Sequence, residues 1–72
     1  MTKAEFIKRF HEMFDEYLME QGYSLEDAQA ATDRLIDDVM EHLGPHIEPE
    51  DLVRYLRNSK KAIEYIRSGN AD

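Results

Sequence analysis

Between Ser24 and Leu43 the apolar residues return at helical spacing, and this periodicity constrains the fold more than any other feature of the sequence. At about 100° per residue, Leu25, Ala28, Ala31, Thr32, Leu35, Ile36, Val39, Met40 and Leu43 fall on one side of a helix. Asp27, Asp33, Asp37, Asp38 and Glu41 fall on the other, with Arg34 as the only cation among them. Such a segment must bury one face and show the other, strongly negative, to water or to a partner. It reads as the central helix of the chain.

Two further helices are predicted around it. Thr2-Lys3-Ala4-Glu5 fits a capping box, in which the Thr hydroxyl and the Glu carboxylate each satisfy a backbone N–H. The helix it opens, over residues 3–21, sets Phe6, Ile7, Phe10, Met13, Phe14, Tyr17 and Leu18 on one stripe and leaves Met19 on the polar side. Gly22 supplies a left-handed terminator, with Tyr23 placed for the accompanying apolar contact. Ser24 then caps the next helix, which is expected to stop at Gly44-Pro45, a glycine followed by a breaker. The short Gly22–Ser24 link predicts an antiparallel hairpin.

His46-Ile47-Glu48 bridges to a third helix opened by Pro49, with Glu50 and Asp51 suited to its N-terminal dipole. Leu52, Val53, Tyr55, Leu56, Ala62, Ile63 and Ile66 hold helical phase to Ser68-Gly69, and Gly69 to Asp72 reads as a frayed tail. Asn58-Ser59 leaves two alternatives open: one continuous helix, or a break with Ser59 capping a fourth short helix. The unbroken apolar phase favours the first.

All three stripes are wide, roughly 140–180°, which a helix needs when it touches two neighbours. A compact three-helix bundle supplies two neighbours, and so does a dimerising hairpin. The expected fold is a single all-α domain spanning residues 1–72, with the hairpin of helices 1 and 2 carrying the C-terminal helix. With 72 residues and no cysteine, stability has to come from helix packing, self-association or a partner. No apolar run approaches the ~18 residues of a membrane span and no secretory signal is evident, so a cytoplasmic protein is expected.

Signatures of chemistry are largely missing from the sequence. Cysteine nucleophiles and thiolate metal sites are excluded, no serine sits in a nucleophile-elbow pattern, and the three glycines read as helix terminators rather than a phosphate cradle. His11-Glu12-Met13-Phe14-Asp15 resembles a zinc-protease helix with Asp in place of the second His, but it lacks a third ligand, and a solvated helix surface is the simpler reading. Asp38 and His42 suggest an i,i+4 ion pair or a histidine at a helix C-terminus. His42 and His46 are separated by Gly44-Pro45, and no Glu-x-x-His pair occurs to suggest a di-iron bundle. No catalytic residue, cofactor, metal or small-molecule substrate is expected.

What remains is charge. The net charge is −7, yet residues 1–11 carry +2, residues 12–51 carry −12 and residues 52–72 carry +3. Asp33, Asp37 and Glu41 form a carboxylate row on helix 2. Arg54, Arg57, Lys61 and Tyr65 line up on helix 3, opposite its core face. The acid row reads as a solvated face or as a surface for a basic partner, and the basic stripe can pair with it inside one chain or across a dimer. Met19, Tyr23 and Tyr55 are further contact candidates.

The leading expectation is a non-enzymatic protein–protein interaction module, self-associating or docked on a larger protein as adaptor or regulator. A second is an inhibitor whose helix 2 carboxylates imitate nucleic-acid phosphates and block a nucleic-acid-binding protein. A third is a regulator touching nucleic acid through helix 3, which the overall negative charge disfavours.

Overall fold

The caps explain where each helix begins and ends. In the computed structural model, which describes residues 1–69, helix α1 (Lys3–Glu20) opens on Thr2, whose Oγ1 accepts the N–H of Glu5 at 3.1 Å. The reciprocal half of the expected capping box is absent: the Glu5 carboxylate instead accepts from Arg9 one turn on, at 3.1 Å. A charged donor has displaced a backbone N–H. At the far end Gly22 has φ 104°, its N–H reaches Met19 O at 3.0 Å, and the Tyr23 N–H reaches Leu18 O at 3.1 Å. This is a Schellman turn, and Tyr23 packs back on the core as the sequence predicts.

Helix α2 (Leu25–His42) is capped by Ser24, whose Oγ accepts the Asp27 N–H at 3.1 Å. Its end differs from the expected glycine stop. Leu43 turns extended, with ψ 134°, and Gly44 has no positive φ. Pro45 disfavours helical backbone in the residue before it, and the half-buried Leu43 is drawn onto the core, so the chain straightens without a left-handed residue. The connector then buries Ile47 almost completely.

Helix α3 (Pro49–Arg67) is continuous, which settles the Asn58-Ser59 alternatives in favour of one helix. Asn58 is exposed and Ser59 is buried on the core side, so the pair interrupts nothing. The Asp51 carboxylate accepts the Glu48 N–H at 3.0 Å ahead of Pro49 at the first helical position. Of the tail expected at the C-terminus, residues 70–72 lie outside the described residues.

Contacts across the helices give the topology. His11 reaches Asp33 and Asp15 receives Thr32, so α1 and α2 form the predicted antiparallel hairpin. The Met1 amino group lies 2.6 Å from Ile47 O, and the Tyr17 hydroxyl 3.4 Å from Lys60 O, so α3 runs alongside α1 in the same direction. The result is an up-down-up three-helix bundle. Its centre is α1 rather than α2: α1 packs heavily on α2 and lightly on α3, while α2 and α3 barely meet.

The core follows from that arrangement. Phe6, Phe10, Phe14 and Leu18, four residues apart on α1, are fully buried. Neighbouring rings sit 5.7 and 5.5 Å apart in tilted pairs. Around this column pack Ala28, Thr32, Ile36 and Val39 from α2, with Leu52, Leu56, Ser59 and Ile63 from α3. Because α2 and α3 each lean mainly on α1, their buried stripes are narrower than expected. Leu25, Val53, Ala62 and Ile66 are exposed, and so is Met13 on α1.

Phe10→Ala is therefore expected to cost about 3–5 kcal/mol, a large part of the roughly 5–15 kcal/mol available to a small domain. Val53→Ala and Ile66→Ala, on the same nominal apolar phase, should stay within about 0.5 kcal/mol. Urea denaturation of the three variants would measure the contrast.

Candidate functional site

The α2 carboxylates sit where helical phase puts them. Asp33, Asp37 and Glu41 are exposed on the face opposite Ile36 and Val39, and Asp38 extends the same surface. Asp33 is not free, because it accepts from His11 Nε2 at 2.7 Å. Among the described residues, no ion pair joins the carboxylates of α2 to a cation of α3. Pairing of the two charged faces inside one chain, one of the expected arrangements, is not what the structure shows. The thin contact between α2 and α3 is the reason.

Arg54, Arg57, Lys61 and Arg67 of α3 also lie in solvent. Arg54 pairs with Asp51 one turn back at 2.7 Å, and its guanidinium stands 5.2 Å from the centroid of the Tyr55 ring. Arg57, Lys61 and Tyr65 are exposed and follow one another at four-residue intervals. Val53, Arg57, Lys60, Lys61 and Glu64 border a shallow open groove of about 430 Å³. It continues toward Pro49 and Arg54. Lys60 bends the other way as well, its Nζ lying 5.2 Å from the Tyr17 ring across the α1–α3 seam. Burial and the nearby Glu64 charge push the Tyr17 phenol pKa above its ordinary value.

Each of these hollows is lined by α3 alone, and a third, around Lys8 and Met13, by α1 alone. Side chains from separate helices do not converge in any of the three. Met19 is exposed in the last turn of α1, as expected, on a different helix from the other contact candidates.

Polar side chains from two helices converge at the α1–α2 seam, where the His11–Asp15 pair, expected on solvated helix surface, meets Thr32 and Asp33. His11 Nδ1 lies 3.0 Å from Asp15 Oδ2 and Nε2 lies 2.7 Å from Asp33 Oδ1, while the buried Thr32 hydroxyl donates to Asp15 Oδ1 at 2.6 Å. Side-chain exposure is 25 % for His11 and 14 % for Asp15, against 69 % for Asp33. Burial works to lower the His11 pKa, but the hydrogen bonds and charges of Asp15 and Asp33 outweigh it, and the net direction is upward from 6.5.

The signal for this cluster was a polar residue, Thr32, inside an apolar stripe. A buried hydroxyl must find a partner, and Asp15 supplies one across the seam. The arrangement does not suit a metal ion. Each imidazole nitrogen already faces a carboxylate, so no lone pair and oxygen point to a common centre. Among the described residues no group of three potential ligands is placed to hold a metal. His42, at the end of α2, donates from Nδ1 to the Asp38 carbonyl at 3.0 Å rather than to its carboxylate, so it serves the helix end and forms no ion pair there.

No family model matches the chain, and no curated protein or solved structure shows significant similarity to it. Among the described residues no helix is long and apolar enough to cross a membrane.

Thr32→Val keeps the shape of the side chain and removes the donor to a carboxylate that is largely out of water. The variant is expected to lose about 1–3 kcal/mol despite its greater hydrophobicity. Equal or higher stability in chemical denaturation would show that the Thr32–Asp15 hydrogen bond does not hold the seam.

Proposed function

We propose that this chain is a small non-enzymatic protein–protein interaction module that self-associates, with the acid face of α2 meeting the basic face of α3 across copies. The observation that carries the reading is the segregation itself: one copy displays both faces and leaves them apart. The confinement of each of these three hollows to a single helix supports a role for the outside of the bundle rather than for a reaction centre.

The spacing is compatible with such a contact. Asp37 and Glu41 are four residues apart, as are Arg57 and Lys61, so both rows repeat every ~6 Å along their helices. In a two-fold dimer each α2 would face the partner's α3, and the contact would occur twice. Val53, Tyr65 and Ile66 are exposed on the same helix as the cations and offer apolar surface to cover.

Magnitudes set the conditions of the test. An exposed ion pair contributes about 0–1 kcal/mol, whereas a 1 μM dissociation constant corresponds to about 8.2 kcal/mol. Ion pairs alone therefore give weak, salt-sensitive association, and any greater affinity must come from covering apolar surface. Sedimentation velocity at high micromolar concentration and low salt is the appropriate measurement.

The wild-type chain should self-associate, and added salt should weaken the association. The pair Arg57→Glu with Lys61→Glu should abolish it, as should Asp37→Lys with Glu41→Lys. Mixing the two charge-reversed proteins should restore a heterodimer. A wild-type chain that stays monomeric under these conditions would defeat self-association. Association indifferent to both reversals would defeat the assigned faces.

A further inference from the structure

One group at the α1–α2 seam makes hydrogen bonds that depend on a proton it can lose near neutrality. Carboxylates only accept, so His11 must donate from Nδ1 to Asp15 and from Nε2 to Asp33 at the same time. Only the imidazolium has two N–H groups. The facing charges are Asp15 from α1 itself and Asp33 from α2, while no charged group of α3 contributes to the His11 environment. The polar neighbour is the Thr32 hydroxyl, which is committed to Asp15.

The two carboxylates are not equivalent. Asp15 is mostly buried and held a second time by Thr32, whereas Asp33 is mostly in water. We propose that His11 is a proton-operated clasp across this seam, which on deprotonation keeps Asp15 and releases Asp33.

The physical sequence is short. A neutral ring retains one N–H, and losing the bond to the buried Asp15 would leave a desolvated carboxylate short of a donor. The N–H therefore stays on Nδ1, and Nε2 turns a lone pair toward Asp33. Repulsion between that lone pair and the carboxylate moves Asp33 into solvent, which accepts it at little cost. Above the transition α2 presents Asp33, Asp37 and Glu41 as a complete free row; below it, Asp33 is covered by a cation. The clasp thus sets the charge of the face assigned above to self-association, but it exists in one copy and does not require assembly.

The pH window follows from the upward direction of the shift. The folded-state pKa stands above the unfolded value of 6.5, so the clasp stabilises fully below pH 6.5 and is lost as the pH rises through the folded-state midpoint. Each unit of separation between the two corresponds to a fall in Tm of roughly 5–11 °C for a domain this small.

The test is a nitrogen-15 NMR titration of the histidine rings, run at a concentration where the protein is monomeric. His11 should titrate above 6.5, its neutral form should carry the proton on Nδ1, and the Asp33 carboxyl carbon shift should move with the same midpoint. Asp33→Asn, at an exposed position, should lower that midpoint while the far-ultraviolet circular dichroism stays unchanged. In parallel, Tm should fall as the pH passes the midpoint, and His11→Gln should flatten that dependence. A midpoint at or below 6.5, a neutral form protonated on Nε2, or a midpoint indifferent to Asp33→Asn would overturn the clasp. Should His11→Gln not fold, the titrations of the wild-type and Asp33→Asn proteins decide alone. Because the readouts belong to a single copy, they stand or fall independently of self-association.

Discussion

The column of Phe6, Phe10, Phe14 and Leu18 is what the rest of the bundle is built on. These four side chains lie on one line of α1, are removed completely from water, and meet α2 on one flank and α3 on the other. Since α2 and α3 barely touch, neither has an alternative surface of comparable size. Removing apolar area from water contributes roughly 25 cal/mol per Å², and three phenylalanines concentrate that gain on a single helix. A chain of 72 residues without cysteine has few other sources of stability.

That dependence explains which parts of the fold were legible in the sequence. Helix boundaries were, because they are local: Thr2, Ser24 and Pro49 open helices, and Gly22 with Tyr23 closes one, through contacts within a few residues. Gly44 misled because the neighbouring Pro45 and the pull of the core on Leu43 had already ended α2. The identity of the central helix was not local. A periodic stripe records that a face is apolar, not how many neighbours it meets, so the longer stripe of α2 looked central while the bulkier one of α1 was. Val53 and Ile66 hold helical phase and remain in water for the same reason. Ile47, a lone apolar residue among polar ones, carried no periodic signal and is buried by tertiary packing.

The polar cluster was legible only in part. His11 and Asp15 four apart, and Thr32 on an apolar stripe, are each visible in the sequence, but their convergence requires the hairpin register. Once α1 and α2 lie antiparallel, the buried Thr32 hydroxyl falls against Asp15, and Asp15 against His11. Among the described residues no buried side-chain polar atom is left without a partner, and this seam is where Thr32 and Asp15 find theirs. The carboxylates of α2 are exposed where helical phase puts them, yet Asp33 differs from Asp37 and Glu41 because a histidine from another helix reaches it.

Charge and packing meet in the light attachment of α3. The acidic residues of the chain are concentrated on α2 and its flanks, and like charges crowded on one small surface repel one another. The fold relieves this locally, through His11 at Asp33 and Arg54 at Asp51, rather than by folding α3 against α2. A closer α2–α3 contact would neutralise more charge. It would also require both helices to turn away from the phenylalanine column, exchanging apolar burial for exposed ion pairs of about 0–1 kcal/mol each. The larger quantity decides: α3 follows α1, held by Leu52, Leu56 and Ile63 together with the Lys60–Tyr17 contact, and Arg54, Arg57 and Lys61 stay in water. Two opposite charged faces on one small bundle are therefore a consequence of where the aromatic residues lie, and any partner of either face engages a surface that hydrophobic packing has left available.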